Sequence, residues 1–231
     1  MQYRYDLHIH SGLSPCGSKD MTPANIVATA SALGLNIISL TDHNAIDNVD
    51  NVMKYGEMLD VLVVPGVEIT TNEDIHILCY FETLQSLENF FSEMTYPYIK
   101  NRPEIFGNQY IYNENDEVEK EVERLLISGS DFSEYQVYEL AKKHGGIAVP
   151  AHIDRMGSGM LFTLGTVPSY YPTIEISSAK RESDYPEYVE KHNVLRNSDA
   201  HTLEQIGLMR GKIELENLSV ASLLKKISSY K

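Results

Sequence analysis

The chain has 231 residues, which at roughly 150 residues per domain fits one large domain or one domain with an insertion. Its content of 42% hydrophobic and 23% charged residues is typical of a globular protein and excludes collagen-like, disordered and disulfide-rich classes. With 19 Lys and Arg against 33 Asp and Glu, the net charge of -14 argues against a general basic surface for a long phosphate backbone. We therefore expect no duplex nucleic acid among the partners.

Signals for export or membrane insertion are not recognisable in the sequence. The segment MQYRYDLHIH lacks the basic and apolar regions of a secretory signal, and the apolar run at 61–64 stops at Pro65 and Gly66. Cys16 and Cys79 are too few for a disulfide scaffold. These features predict a cytoplasmic protein with no membrane partner.

Short apolar strands alternate with amphipathic helices in the first part of the chain. Strands are predicted at 7–10, 36–40, 61–64 running on towards Glu68, and 75–80. Helices are predicted from the Thr22 cap and Pro23 up to Gly34, near 49–53, and at 84–91. This alternation predicts a parallel sheet covered by helices, with its chemistry at the carboxyl ends of the strands.

The alternation of predicted strands and helices stops after residue 94 and resumes further along the chain. Residues 95–115 carry Pro97, Pro103 and Gly107 without a period, which favours an insertion or lid loop. An acidic helix is predicted at 118–126 and another helix at 133–143. Strands at 147–149, 174–176 and 194–195 and a last helix from Ser219 complete the pattern.

Histidines and carboxylates lie in or just after these strands. His8 and His10 share one face of a strand, because strand side chains repeat every two residues, so both can reach one ion. Asp199 and His201 repeat that spacing with a carboxylate. Glu68 stands between apolar neighbours, where an unpaired carboxylate would be costly to bury and bound cations would remove the cost. The pattern therefore indicates a metal site, although each residue alone also fits an ordinary hydrogen-bonded position.

Six motifs, in order, resemble those of the polymerase and histidinol phosphatase (PHP) family: DLHIHS, LTDHN, GVEITT, IHILCYF, PAHIDR and NSDAH. They span residues 6–201 and match the phosphoesterase branch. The resemblance implies an α/β fold, a distorted (β/α)7 barrel, as a single domain over 1–231 with an inserted lid or subdomain at about 95–130. It also implies two or three divalent metal ions, zinc, manganese or iron, in the barrel mouth.

Most of the implied metal ligands fall in two sets that share one residue. The resemblance places one ion on His8, His10, Glu68 and Asp199, and a second on Glu68, His76 and His152.

A third site would use His43 and His201. Where other members add a further histidine, this chain has Cys16, whose thiolate can ligate a divalent ion and whose pKa would fall near cations. A small buried residue beside a turn explains Cys16 nearly as well. Cys79 is predicted to lie in the core.

Four further residues are candidates for supporting roles. Asp6 and Asp42 would orient metal-bound imidazoles as hydrogen-bond acceptors, or simply make strand-end hydrogen bonds. Arg155 is the candidate for clamping phosphate oxygens, since a guanidinium matches their geometry. Arg181, beside Lys180, is a second phosphate candidate and is equally explained as exposed charge.

The remaining histidines, His144 and His192, fall in polar, surface-like contexts and are given no role. The resemblance implies a metal-dependent phosphoric ester hydrolase in which a water bridged between metal ions attacks phosphorus. Glu68, Asp199 and Arg155 are the predicted catalytic residues. The expected substrate is a small phosphoester such as a nucleotide or a short single-stranded nucleic acid.

Three other functions fit parts of the same pattern. The chain could be a histidinol-phosphate phosphatase, which would turn over that substrate and neither bisphosphates nor oligonucleotides. It could be a non-catalytic metal-binding or partner-docking module, although all eight principal ligand positions are filled. A metal hydrolase acting on carbon–nitrogen bonds typically needs a barrel lysine, and no lysine occupies a predicted strand end in that context.

Overall fold

The computed structural model describes residues 1–231 and contains ten strands and eight helices. The strands are β1 (Gln2–Ile9), β2 (Ile37–Leu40), β3 (Leu62–Thr70), β4 (His76–Tyr80), β5 (Tyr110–Tyr112), β6 (Val118–Glu121), β7 (Ile147–Pro150), β8 (Thr173–Glu175), β9 (Asn193–Leu195) and β10 (Gly211–Glu214). The helices are α1 (Pro23–Ala32), α2 (Val49–Met58), α3 (Leu84–Glu93), α4 (Pro103–Phe106), α5 (Glu134–Lys143), α6 (Met160–Leu164), α7 (Pro186–Lys191) and α8 (Val220–Ser228). None of these helices combines the length and the apolar composition needed to cross a bilayer.

Six strands form the central sheet, in the order β10-β1-β2-β3-β4-β7. β1, β2 and β3 are parallel, as predicted, but β4 runs antiparallel to both β3 and β7, and β10 runs antiparallel to β1. The prediction of a wholly parallel sheet is therefore wrong. Only residues 71–75 join β3 to β4, and a parallel partner would need a much longer crossover.

The strands β8 and β9 form a separate parallel pair between β7 and β1. The Ile153 amide donates to the Glu175 carbonyl at 3.0 Å, and the His10 amide donates to the Ala200 carbonyl at 2.9 Å. A single bridge, Ile9 to Ala200, joins this part of the chain to β1. The α/β fold with a curved sheet is thus confirmed, while the count of seven barrel strands stays a prediction.

The segment 95–130 contains a hairpin, β5–β6, where an acidic helix was predicted over 118–126. Asn113 starts the turn by accepting from the amides of Asn115 and Glu117, and Asp116 has a left-handed φ of 65°. This turn folds the chain back into a strand despite its charge, so that helix prediction is wrong. The hairpin is fastened to the loop after β1, where the Tyr110 amide donates to the Gly12 carbonyl at 2.8 Å.

Apolar side chains pack on both faces of the sheet. Along β4, Ile77 and Cys79 point to the larger core between the sheet and its helices, while Leu78 and Tyr80 point to a smaller core inside the curve. Cys79 is fully buried, as predicted. Because side chains alternate, His76 shares the inner face with Leu78 and Tyr80. The inner face is thus apolar in its middle and carries His76 at its rim.

Helix α8 packs against the inner core through Leu223, Leu224 and Ile227. Ser219 caps this predicted last helix by accepting from the Ser222 amide. The helix therefore covers the inner core.

Replacing Leu223, which is fully buried, by Ala should lower the free energy of unfolding by about 2–5 kcal/mol through lost burial and a cavity. Urea denaturation followed by circular dichroism would measure this change. Ser228→Ala in the same helix, at an exposed position, is the matched control and should change stability by less than about 0.5 kcal/mol. An equally small effect of Leu223→Ala would contradict the role of α8 in the core.

Candidate metal centre

Glu68 is the buried carboxylate at the centre of the rim. It lies on the same face of β3 as Val64 and Gly66, and Val64 belongs to the inner core. Gly66 permits close packing beneath it, since a Cβ there would lie 2.4 Å from the Ser39 hydroxyl oxygen. Glu68 therefore points its charge into the mouth of the curved sheet from a rigid strand.

Five imidazoles surround the Glu68 carboxylate within 3.4 Å. The distances from the nearest ring nitrogen to a carboxylate oxygen are 3.3 Å for His8, 3.4 Å for His10, 2.9 Å for His43, 3.0 Å for His76 and 3.2 Å for His152. The structure therefore brings together residues from the carboxyl ends of β1, β2 and β7, as predicted, and His76 from the amino end of the antiparallel β4.

Asp199 approaches the same point from the loop after β9. Its Oδ1 lies 3.3 Å from His8 Nε2 and 3.2 Å from His10 Nε2, and 3.7 Å from His201 Nδ1. Its other oxygen, Oδ2, accepts a hydrogen bond from the Arg155 guanidinium. Asp199 thus joins the histidine cluster to the one arginine beside it.

The tautomers of His8 and His10 follow from their outer partners. His8 Nδ1 lies 3.0 Å from the Glu175 carboxylate, which can only accept, so Nδ1 carries the proton and Nε2 has a free lone pair. Ser14 donates its hydroxyl proton to Asp42 at 2.6 Å and therefore accepts from His10 Nδ1 at 3.0 Å. His10 Nε2 is then also a lone pair.

These two lone pairs face each other across 3.1 Å, beside the carboxylates of Glu68 and Asp199. Glu68 Oε2 and His43 Nδ1, only 2.9 Å apart, are buried and have no hydrogen-bond partner of acceptable geometry. In the neutral rings these nitrogen and oxygen atoms are all acceptors, and a cation bound between them would take the place of the protons that otherwise hold them together. Imidazole nitrogen and carboxylate oxygen are ligands that zinc, manganese and iron accept, so the residues present fit divalent metal ions.

Neighbouring charges and burial have opposite effects on the pKa values of the two carboxylates. Burial alone would raise the pKa of Glu68, but the positive charge that His76, His8 and His43 carry when protonated holds that pKa well below its usual value, and a bound cation would supply the same charge. The pKa of Asp199 is likewise held well below its usual value against the effect of burial, chiefly by His8 and His10. Both carboxylates therefore stay ionised and available to a cation.

A second group of candidate ligands lies on the outer side of the cluster. Ligand atoms of His10, His43 and His201 lie within 4.8 Å of one another. Cys16 remains accessible to solvent next to them. Partial burial would raise the pKa of Cys16, but hydrogen bonds with His201 and His43 outweigh it and lower the pKa to about 6.

The two predicted supporting carboxylates have different contacts. Asp42 accepts from the Ser11 amide at 2.7 Å and reaches His10 through Ser14. Asp6 contacts no imidazole. It accepts from the Ser198 amide at 3.0 Å and from the Ser198 hydroxyl at 2.6 Å, and so anchors the loop that carries Asp199. The prediction that Asp6 orients an imidazole is corrected accordingly.

Glu175 is the functional candidate that the sequence analysis missed. Besides holding His8, it accepts from the His152 amide at 2.8 Å and from the Asn197 side-chain amide at 2.8 Å. The signal was a carboxylate between Ile174 and Ile176 in a predicted strand, which is the same context as that of Glu68.

Two ligand candidates occupy unusual backbone conformations. His152 has a φ of 25° and Asp199 a φ of 54°, a region that non-glycine residues rarely adopt. The hydrogen bond from the His152 amide to Glu175 offsets part of this cost. Such strain at strand ends is common where a side chain must be aimed at a functional point.

Arg181, the other predicted phosphate contact, lies apart from the cluster. It lines a different cavity together with Lys180, and none of the clustered histidines or carboxylates borders that cavity. The predicted surface context of His192 is also wrong, because His192 is buried and its Nδ1 contacts the Tyr171 carbonyl at 2.7 Å. His144 pairs with Glu93 at 2.8 Å, away from the cluster.

Comparison with known proteins identifies the family. The sequence profile described as PHP domain matches residues 6–192. A 5'-3' exoribonuclease of Haemophilus influenzae is 35% identical over 81 residues, which are 34% of this chain and 28% of the exoribonuclease.

Solved structures share the fold at low sequence identity. The lesion-specific endonuclease PfuEndoQ of Pyrococcus furiosus aligns with a TM-score of 0.69 and 20% identity, over 100% of this chain and 57% of the endonuclease. A provisionally assigned metal-dependent phosphoesterase of Bifidobacterium adolescentis aligns with a TM-score of 0.58 and 17% identity, over 96% of this chain and 94% of that one. This chain thus spans less than two thirds of the exoribonuclease and of the endonuclease.

The prediction that an acidic composition excludes duplex nucleic acid is wrong. Endonuclease Q, which shares this fold, has been solved in complex with a 27-mer duplex that carries an abasic lesion at the active site. Net charge sums over the whole chain, whereas a duplex meets only a local surface, where bound cations and a few basic side chains set the potential.

The Glu175→Gln substitution should weaken divalent metal binding by about 10- to 100-fold, because Gln cannot hold His8 with the same charge. Isothermal titration of the purified chain with manganese would measure the loss. Glu182→Gln, at an exposed position, is the matched control and should leave the affinity unchanged. Equal affinities for both variants would show that Glu175 does not tune the site.

Proposed function

Because the chain belongs to the PHP domain family, matched over residues 6–192, we propose that it is a metal-dependent phosphoesterase acting on nucleotide or nucleic-acid phosphate esters. The observation that carries this proposal is the convergence of the Nε2 atoms of His8 and His10, 3.1 Å apart, beside the carboxylates of Glu68 and Asp199. Such an arrangement of nitrogen and oxygen ligands fits divalent cations.

The proposed ligand sets follow the contacts around the two carboxylates. One set is His8, His10, Glu68 and Asp199, a second is Glu68, His76 and His152, and a third is Cys16, His43 and His201. Glu68 belongs to two sets because its Oε1 lies 3.3 Å from His8 of the first set, and 3.0 and 3.2 Å from His76 and His152 of the second.

When bound, divalent ions would supply Lewis-acid charge and lower the pKa of the attacking water. The chain's own residues prepare that chemistry. Glu175 and Ser14 keep His8 and His10 in the tautomers that leave Nε2 free. Glu68 stays ionised at the centre, so the site is arranged before substrate binds.

Arg155 is the proposed phosphoryl clamp. Its guanidinium donates to Asp199 at one side, and 41% of its side chain remains exposed towards the mouth. The free N–H groups match the geometry of phosphate oxygens. Arg155 would thus hold the phosphoryl group next to Asp199 and offset charge that develops on its oxygens.

The nucleotide class is favoured over histidinol phosphate by two similarities. The 81-residue match is to a 5'-3' exoribonuclease, and one structure with this fold belongs to a lesion-specific endonuclease. The names of both proteins describe nucleases, which act on nucleic acid. A phosphate ester within or at the end of a nucleic acid is therefore the proposed substrate.

We also propose that the curved sheet, completed by β8 and β9, is a (β/α)7-type barrel whose mouth is covered by residues 95–130. Support for a lid comes from the site loops. The Asn44 side chain donates to the Leu126 carbonyl at 2.7 Å, and Gly107 packs against Pro15, beside Cys16. Movement of this segment would change access to the outer ligands.

A substrate panel tests the proposed function. The full chain loaded with manganese should release phosphate or nucleotide from a 3',5'-bisphosphate or an oligonucleotide at least about 10-fold faster, in kcat/KM, than from histidinol phosphate. Turnover of histidinol phosphate alone would establish a histidinol-phosphate phosphatase instead. No turnover of any ester with manganese, zinc or iron would establish a non-catalytic module.

Replacing Asp199 by Ala should lower kcat on every phosphoester by at least about 100-fold, because a ligand and the partner of Arg155 are lost together. Asp199→Asn tests the charge alone, since Asn tolerates the left-handed backbone at this position. Steady-state kinetics measures the loss, and thermal unfolding checks that the fold is kept. Asp131→Ala, at an exposed position, is the matched control, and full activity of both Asp199 variants would refute the role of Asp199.

A further inference from the structure

A basic groove lies between the β8–β9 pair and the β1–β10 edge of this acidic protein. A cavity of about 580 Å³ and a neighbouring one of about 260 Å³ share Arg210 and Lys212 in their walls. The six cations of this basic groove are Arg4, Lys180, Arg181, Arg196, Arg210 and Lys212.

The cations of the basic groove are not neutralised by the protein. None of the six makes an ion pair, although the chain has 33 carboxylate side chains, and Glu182 is the one acidic residue in the groove's floor or walls. Four of the chain's seven arginines are gathered here. Arg4 and Lys212 lie directly opposite each other on β1 and β10, where like charges are unfavourable. An anion from outside would relieve this repulsion.

Arg196 adds an observation independent of charge counting. One of its terminal nitrogens, Nη2, donates to the Lys180 carbonyl at 2.7 Å, while the other, Nη1, is buried without any hydrogen-bond partner. An unsatisfied charged donor is costly, and a ligand acceptor at the groove would remove that cost. The groove wall thus contains a donor that the protein itself leaves unused.

The β8–β9 side of the groove lies at the same strand ends as the metal centre, whereas Arg4 and Lys212 lie further down β1 and β10. Lys180 and Arg181 follow β8, and Arg196 follows β9, so both segments lie at the carboxyl ends of their strands. Arg196 precedes Asp199 by three residues, which limits the separation of their Cα atoms to about 10 Å. That distance corresponds to about three nucleotides along a strand.

We propose that the basic groove binds the phosphodiester backbone of the substrate strand next to the scissile phosphate. The inference rests on the proposed function and narrows it to substrates longer than a mononucleotide. Guanidinium groups match phosphate oxygens in pairs, and the six cations line two adjoining cavities rather than one, as a chain of phosphates would require. A single small anion would leave most of them unneutralised.

A triple variant, Lys180→Gln, Arg181→Gln and Lys212→Gln, removes three exposed charges and leaves every candidate metal ligand unchanged. With manganese-loaded full chain, we expect KM for a 12-nucleotide strand to rise at least about 10-fold while kcat is kept, because each lost phosphate contact weakens binding. KM for p-nitrophenyl phosphate, which is too small to contact the metal centre and the groove together, should not change. The matched control is Lys54→Gln, Lys142→Gln and Lys143→Gln, with the same loss of charge outside the groove.

A binding assay separates this inference from the proposed function. Fluorescence anisotropy of labelled single-stranded and duplex 12-mers, with the full chain as purified, should show a salt slope smaller by about 2 in the groove variant than in the control variant. A smaller salt slope with only one of the two 12-mers would identify the form of nucleic acid, single-stranded or duplex, that the groove binds. If both variants keep the wild-type KM and salt slope, the groove does not bind the backbone, even if the wild type hydrolyses every ester. If the wild type hydrolyses no ester but the slope changes, the proposed function fails and the groove stands.

Discussion

The buried charge of Glu68 is the constraint on which the rest of the site depends. A carboxylate taken out of water on a rigid strand needs positive charge nearby, and five imidazoles converge on Glu68 within 3.4 Å. Divalent ions would supply that charge and would turn the repulsion between Glu68 and Asp199 into shared coordination. The apolar inner core and helix α8 below make the rigid base that such close approach requires.

Hydrogen bonds from surrounding residues orient the side chains that line the candidate metal centre. Glu175 decides which nitrogen of His8 faces the mouth, and Asp42 does the same for His10 through Ser14. Asp6 holds the backbone that presents Asp199. Partners of this kind fix ring orientation and basicity before any ion arrives, which is why a site built from many histidines can still be ordered.

Much of this arrangement could be predicted from local sequence, because its ligands come in short units. His8 with His10, and Asp199 with His201, are placed together by strand periodicity alone, and strand ends meet at one rim in an α/β fold. The ordered motifs identified the family, which the profile over 6–192 confirms. Periodicity along the sequence does not predict which distant segments pair with one another.

Long-range pairing explains the errors and the omissions. The direction of β4 depended on the brevity of residues 71–75, and the acidic segment at 118–126 became a hairpin strand through the turn at Asn113. Glu175 is marked only by its contacts, which come from β1, β7 and the loop after β9. Whole-chain charge likewise concealed the six cations that lie together, and the duplex partner was excluded wrongly for that reason.

The strands around the site are not all connected by the same number of backbone hydrogen bonds. From β10 to β7 they form one continuous hydrogen-bonded ladder, but β8 and β9 pair only with each other and meet β1 through the bridge at Ile9 and Ala200. Asp199 stands beside that seam, while Glu68 belongs to the continuous part. An ion held by both carboxylates would therefore cross-link the separate β8–β9 pair to the six-stranded sheet.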